Sequence, residues 1–203
     1  MKRLITGCTA LLLCASCTLS ASAANLTHTV AKGDTMWKLA VQYETGTQEI
    51  IDANPQVGNP NLIYPGQSLT IPQLDATVSA YESEVIRLVN VQRTQYGLKP
   101  LTANWELSRV ARYKSQDMVD QRYFSHTSPT YGSPYQMMRS FGLSFRTAGE
   151  NIAYGQRTPQ AVVNVWMNSS GHRANILRPS YGSIGVCAVV SGGVTYWVQL
   201  FGK

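Results

Sequence analysis

The chain has 203 residues, 44% of them hydrophobic and 14% charged, with a formal net charge of +6 at pH 7. These values exclude a disordered chain, and 16 Gly with 9 Pro are too few for a low-complexity or collagen-like sequence. The length suits one ordinary domain or two small ones. No apolar run beyond the N-terminus approaches the roughly 20 residues that span a bilayer, so no membrane span is expected in the mature form.

Residues 1–23 read as an export signal. Lys2 and Arg3 form its positive start, Leu4 to Ser16 a short apolar stretch, and Ala21-Ser22-Ala23 a small-residue cleavage site. Lipid attachment at Cys17 is the alternative, although Cys14-Ala15-Ser16 lacks the usual Leu three positions before that cysteine. Removing the segment takes away Cys8, Cys14 and Cys17 and leaves Cys187, which has no partner for an internal disulfide. An exported chain held by its core alone points to a bacterial protein. Cys187 lies in Ile184-Gly185-Val186-Cys187-Ala188-Val189-Val190, which reads as a buried strand with an inert thiol.

Charge divides the remainder. Residues 24–75 carry two Lys against five acids, whereas residues 76–203 carry thirteen Lys and Arg against six acids, a net +7. Two modules with different surfaces are implied. The basic half suits anionic wall polymers. Nucleic acid is not expected, because the arginines are scattered, no binding motif is present and the chain is read as exported.

Between residues 27 and 73, Thr27-His28-Thr29-Val30 alternates like a short strand, with His28 as a strand surface residue. Gly33-Asp34-Thr35 turns the chain. Asp34 is placed to cap a helix carrying Met36, Trp37, Leu39 and Ala40, with Trp37 in its core-facing spacing. Thr47 caps a second helix with Ile50 and Ile51 inward, and Asn54-Pro55 ends it. Pro65-Gly66 turns into a strand, Leu69-Thr70-Ile71. With His28-Thr29-Val30, Gly33-Asp34-Thr35, Trp37, Asn54-Pro55 and residues 63–72 in this order, the segment resembles a complete LysM module of βααβ form. The resemblance implies binding of N-acetylglucosamine units of peptidoglycan or chitin in a shallow groove. That groove is formed by Gly33, Asp34, Thr35 and Met36 facing Asn61, Leu62, Ile63 and Tyr64. Asp34 has a second reading as a cap alone.

Residues 74–80 read as a short polar linker. Beyond it, Val78, Tyr81, Val85, Leu88, Val89 and Gln92 share one helical face, and Leu107, Val110, Ala111, Lys114 and Met118 mark another helix. Ser133-Pro134 and Thr158-Pro159 are N-cap-plus-proline helix starts. Residues 182–190 and 194–201 read as paired strands around Gly192-Gly193, giving an α+β domain. Asn90-Val91-Gln92-Arg93, residues 124–129, Gly149-Glu150-Asn151-Ile152-Ala153, residues 166–177 and residues 196–202 make residues 81–203 resemble the CAP superfamily in its bacterial branch. That family comprises cysteine-rich secretory, antigen 5 and pathogenesis-related proteins. The resemblance implies an α-β-α sandwich with a cleft of two His and two acids that binds divalent metal in some members. His126, His172 and Glu150 match three of the four. The second acid is missing, since Met167-Asn168-Ser169-Ser170 follows Trp166. A zinc ion held by His126, His172 and Glu150 and a bracing network of the same three side chains are the two readings of the cleft.

No G-x-S-x-G, H-E-x-x-H or phosphate-loop motif occurs. The expected function is therefore that of a secreted wall-associated protein, whose LysM module binds peptidoglycan and localises a CAP domain, with no cofactor required. A CAP hydrolase acting on wall glycan or peptide is the alternative, and a structural component of a wall or spore layer the second.

Overall fold

A computed structural model describes residues 25–203. The expected export signal, with Cys8, Cys14 and Cys17, lies outside the described residues.

The first unit runs β1 (Leu26–Thr29), α1 (Met36–Gln42), α2 (Thr47–Asp52), β2 (Ser68–Ile71). β1 and β2 pair antiparallel, with Leu26 opposite Ile71 and Thr29 opposite Ser68. Met36, Leu39 and Ala40 of α1, spaced i, i+3, i+4, close on Val30, Ile50, Leu69 and Ile71 to make one small core. Three local expectations are corrected. Trp37 is 66% exposed, because the buried stripe passes through its neighbour Met36 and roughly 100° of helical rotation carries residue 37 outward. Thr35 rather than Asp34 caps α1, accepting from the Lys38 N–H. α2 starts after Gly46, which offers no side-chain cap, so Thr47 is the first helical residue and not the cap. Ile50 is buried, but Ile51 is only half-buried. The buried Asn54 joins α2 to β2: its Nδ2 donates to the Ile50 and Thr70 carbonyls, both at 2.7 Å, and its Oδ1 accepts from Thr70 N–H at 2.8 Å.

The second unit opens with α3 (Ala76–Gln95), capped by Asp75, which accepts from Thr77 and Val78 N–H. Most of the stretch read as a linker over 74–80 is therefore helical, because the cap lies ahead of the first apolar landmark at Val78. Next come β3 (Thr102–Ala103), α4 (Trp105–Asp120), α5 (Pro134–Ser140), β4 (Ala148–Tyr154), α6 (Pro159–Asn168), α7 (Ser170–Ile176), β5 (Ser183–Ser191) and β6 (Val194–Gly202). The sheet order is β3-β5-β6-β4, with β3 parallel to β5 and the other pairs antiparallel. Ser133 and Thr158 cap α5 and α6 with proline in the first turn, and β5 and β6 turn back on each other at Gly192-Gly193.

Period-two alternation splits the strands between two cores. Trp197 and Phe201 of β6, with Val186 and Ala188 of β5, face Val85, Val89, Val162 and Trp166 of α3 and α6. Val198 and Leu200, with Cys187 and Ile152, face Leu107, Val110 and Met118 of α4. The result is the expected α-β-α sandwich, with Cys187 buried and free. α4 lies so close to β5 that a Cβ on Gly185 would collide with the Ser108 and Leu107 backbone. Among the described residues, no helix is long and apolar enough to cross a membrane. β4 ends the sheet, and its free edge carries the second of the two sites.

Candidate functional site

In the first unit the loops after β1 and before β2 enclose a groove of about 440 Å³. Asp34, Thr35, Met36, Asn61, Leu62 and Ile63 line it, whereas Gly33 and Tyr64 do not. Trp37, Thr47, Ile51 and Pro60 line it as well. Met36 contributes from the core, being buried, while Trp37 and Leu62 stand exposed at the rim. Asp34 neither caps α1 nor stands free. Its Oδ2 accepts from Ala31 N–H at 2.7 Å and lies 2.9 Å from His28 Nε2, and His28 Nδ1 lies 2.9 Å from the Tyr43 hydroxyl. The Ala31 amide and then His28 hold the Asp34 carboxyl below its ordinary range. His28 is thus a brace of the groove loop rather than a plain strand surface residue.

The second site gathers the three matched side chains at the β4 edge. His126 comes from the loop after α4, Glu150 from β4 and His172 from α7. His126 Nδ1 lies 2.7 Å from Glu150 Oε1, with the Glu150 side chain 2% exposed and that of His126 54% exposed. The hydrogen bond to Glu150 raises the His126 pKa. Burial, and then the charge of His126, lower that of His172, whose Nδ1 is buried without a partner. Two neighbouring imidazoles are thereby pushed in opposite directions.

Amides fix α7 to the strand. Asn175 Nδ2 donates to the outward Glu150 carbonyl at 3.1 Å and to Asn151 Oδ1 at 2.9 Å, and Asn151 Nδ2 donates to the His172 carbonyl at 3.1 Å and to Gln199 Oε1 at 2.9 Å. The edge strand's open acceptor is thus occupied, which blunts the edge and sets where His172 stands.

Below the site is a buried network that reading the sequence missed. Lys114, 1% exposed on α4, donates from Nζ to the His126 carbonyl and the Tyr123 hydroxyl, both at 3.0 Å. Asp117, one turn on, accepts from Tyr123 and, at 2.7 Å each, from the hydroxyls of Ser128 and Thr130. Burial lowers the Lys114 pKa and raises that of Tyr123. A polar residue inside an apolar helical stripe was the available signal, since a buried ammonium requires acceptors. Other motif residues are staples of the same kind. Arg93, 1% exposed, donates to the carbonyls of Lys99, Ile176 and Arg178, and Asn90 exchanges hydrogen bonds with the Leu101 backbone.

A three-ligand zinc set is not assembled. Among the described residues, no group of three or more His, Cys, Asp or Glu side chains is spaced to hold a metal ion. Glu150 is buried and turned to His126, where it orients the ring as a supporting carboxylate does.

These features define a two-module protein, in which a grooved βααβ unit precedes an α-β-α sandwich with a paired-imidazole site on its edge strand. Residues 86–201 match the model of the CAP (cysteine-rich secretory protein) family, and residues 28–72 that of the LysM domain. The chain belongs to the CAP family and carries an N-terminal LysM domain. It is 56% identical over 132 residues to the uncharacterized protein YkwD of Bacillus subtilis (strain 168), covering 65% of this chain and 51% of that one. A crystal structure of an extracellular protein containing a SCP domain from Bacillus anthracis superposes with a TM-score of 0.58 at 30% identity, over 68% of this chain and 47% of that one. An endolysin of Bacillus phage B103 is 42% identical over 45 residues, 22% of this chain and 17% of the endolysin. The chain thus spans only about half the length of YkwD.

Proposed function

We propose that this is a secreted, cell-wall-associated protein whose LysM groove binds N-acetylglucosamine-containing glycan and so localises the CAP domain at peptidoglycan. The groove carries this reading. Its lining mixes exposed apolar residues, Trp37 and Leu62, and the buried Met36 with the polar Asp34, Thr35, Thr47 and Asn61. A neutral sugar with an acetamido arm suits such a mixed lining, with apolar contact for the ring and methyl and polar partners for the amide. The extracellular neighbour and the phage endolysin support the location and the ligand class. Tryptophan emission of the chain should change when an N-acetylglucosamine oligomer is added, and the change should vanish in Trp37→Phe. An emission change that persists undiminished in Trp37→Phe would remove the groove from the account.

A second reading, hydrolysis of wall glycan or peptide at His126, Glu150 and His172, is favoured by the opposed pKa shifts of the two histidines. Two neighbouring groups pushed apart in this way suit an acid and a base. Glu150 would then act as the positioning residue for His126. Release of soluble fragments from labelled peptidoglycan by the wild type and not by His172→Ala supports this reading. Equal, negligible release by both rejects it.

A further inference from the structure

Helix α2 serves two places at once. Thr47 and Ile51 line the glycan groove, while Glu49 of the same short helix reaches across to Arg109 on α4 of the CAP domain. Arg109 Nε donates to Glu49 Oε1 at 2.7 Å and Nη2 to Glu49 Oε2 at 3.2 Å, a two-pronged pair. The guanidinium also lies 5.6 Å from the Tyr113 ring centre and 5.2 Å from that of Phe141. Only 19% of the Arg109 side chain and 25% of that of Glu49 are exposed, so salt screens the pair less than a surface ion pair. Gly46 leaves the space for it, since a Cβ there would collide with Glu49 Oε2 and Arg109 Nε.

No other ion pair among the described residues joins the modules. Around the pair lies an open cavity of about 700 Å³ lined by Tyr43, Leu74, Ile86 and Tyr113 among others. The modules therefore meet through a clamp beside a cavity. α4 carries, beyond Arg109, the Lys114 and Asp117 that hold the His126 loop. Each clamp residue thus sits on a helix that also builds a site.

We propose that the Glu49–Arg109 clamp couples the LysM groove to docking of the CAP domain, so that the clamped chain binds glycan more tightly than an unclamped one. α2 has six residues, far below the length at which a helix holds itself. A wall of the groove fixed in advance by Arg109 spares the glycan the entropy of ordering it. By linkage, bound glycan strengthens docking by the same factor. The proposal rests on the groove reading above.

The test is calorimetric titration of an N-acetylglucosamine oligomer into residues 24–203 as wild type, Arg109→Gln and Gly46→Ala. Neither substituted residue lines the groove, and the two break the clamp from opposite sides. Both variants should bind about fivefold or more weakly than wild type, the low end of ordinary coupling. Reciprocally, the oligomer should slow proteolysis at residues 72–75 in the wild type and not in the variants. Wild type that binds while both variants stay within twofold overturns the coupling and leaves the groove reading standing. Wild type that binds no oligomer overturns both.

Discussion

His126 and His172 are close enough to feel each other's charge, yet their surroundings favour opposite protonation states. Glu150 stabilises the imidazolium of His126, so its pKa is raised, whereas burial disfavours charge on His172. The stabilising contribution of the His126–Glu150 pair is fully present below about pH 6.5, the unfolded histidine value, and is lost as pH rises through the higher folded value. His172 runs the other way. Its neutral folded form is favoured, and that contribution is lost as pH falls from about 6.5 through its lower folded value. Imidazole proton resonances followed by NMR should therefore titrate above 6.5 for His126 and below it for His172, with Glu150→Gln lowering the first. Two coincident titrations near 6.5 would show that Glu150 does not hold His126.

Lys114 tests the layer beneath. Lys114→Met keeps the length of the side chain but leaves the His126 carbonyl and the Tyr123 hydroxyl without their donor. Loss of these buried partners should destabilise the domain by about 1 to 3 kcal/mol, read as a lower urea midpoint at unchanged slope. An unchanged midpoint would mean that the ammonium contributes nothing to holding the loop.

At the scale of elements, Asn54 is the sharpest case. It satisfies a helix carbonyl and both backbone groups of Thr70, so Asn54→Ala strands buried polar groups between α2 and β2. A fall in stability of about 1 to 3 kcal/mol is expected, seen in thermal unfolding of the LysM unit. An unchanged transition would contradict the staple. The Asn54-Pro55 pair was legible in the sequence as a helix end, but its side-chain role depends on a strand sixteen residues away. The same division runs through the chain. Ser133-Pro134, Thr158-Pro159 and Gly192-Gly193 act within a few residues, and the caps and turn stand where local chemistry puts them. Trp37 was misplaced because a seven-residue helix offers too few positions for its periodicity to separate a buried face from its neighbour. Lys114 was legible as a member of a buried stripe, but periodicity assigns a face and says nothing of what the ammonium meets there. The groove residues followed from the LysM resemblance, save Gly33 and Tyr64, whereas α2's part in the lining needed the packing of the unit.

For the whole molecule, one short helix faces the LysM groove on one side and the CAP domain on the other, and α4 runs from that contact to the imidazole site. On the proposed function, the LysM unit is the part that holds the chain to the wall, with the basic CAP domain beside it. Two kinds of attraction could retain the chain, and salt separates them. The CAP half carries a net charge of +7, most of its cations are exposed, and such charges are screened within about 8 Å at physiological ionic strength and within about 3 Å at 1 M salt. Contacts of Trp37 and Leu62 with a neutral sugar are not weakened in that way. The decisive measurement is co-sedimentation of residues 24–203 with insoluble peptidoglycan in 1 M salt, for wild type and Trp37→Ala. The account predicts that wild type stays in the pellet at high salt while Trp37→Ala is largely released. Wild type released by salt, or Trp37→Ala retained as well as wild type, would contradict it.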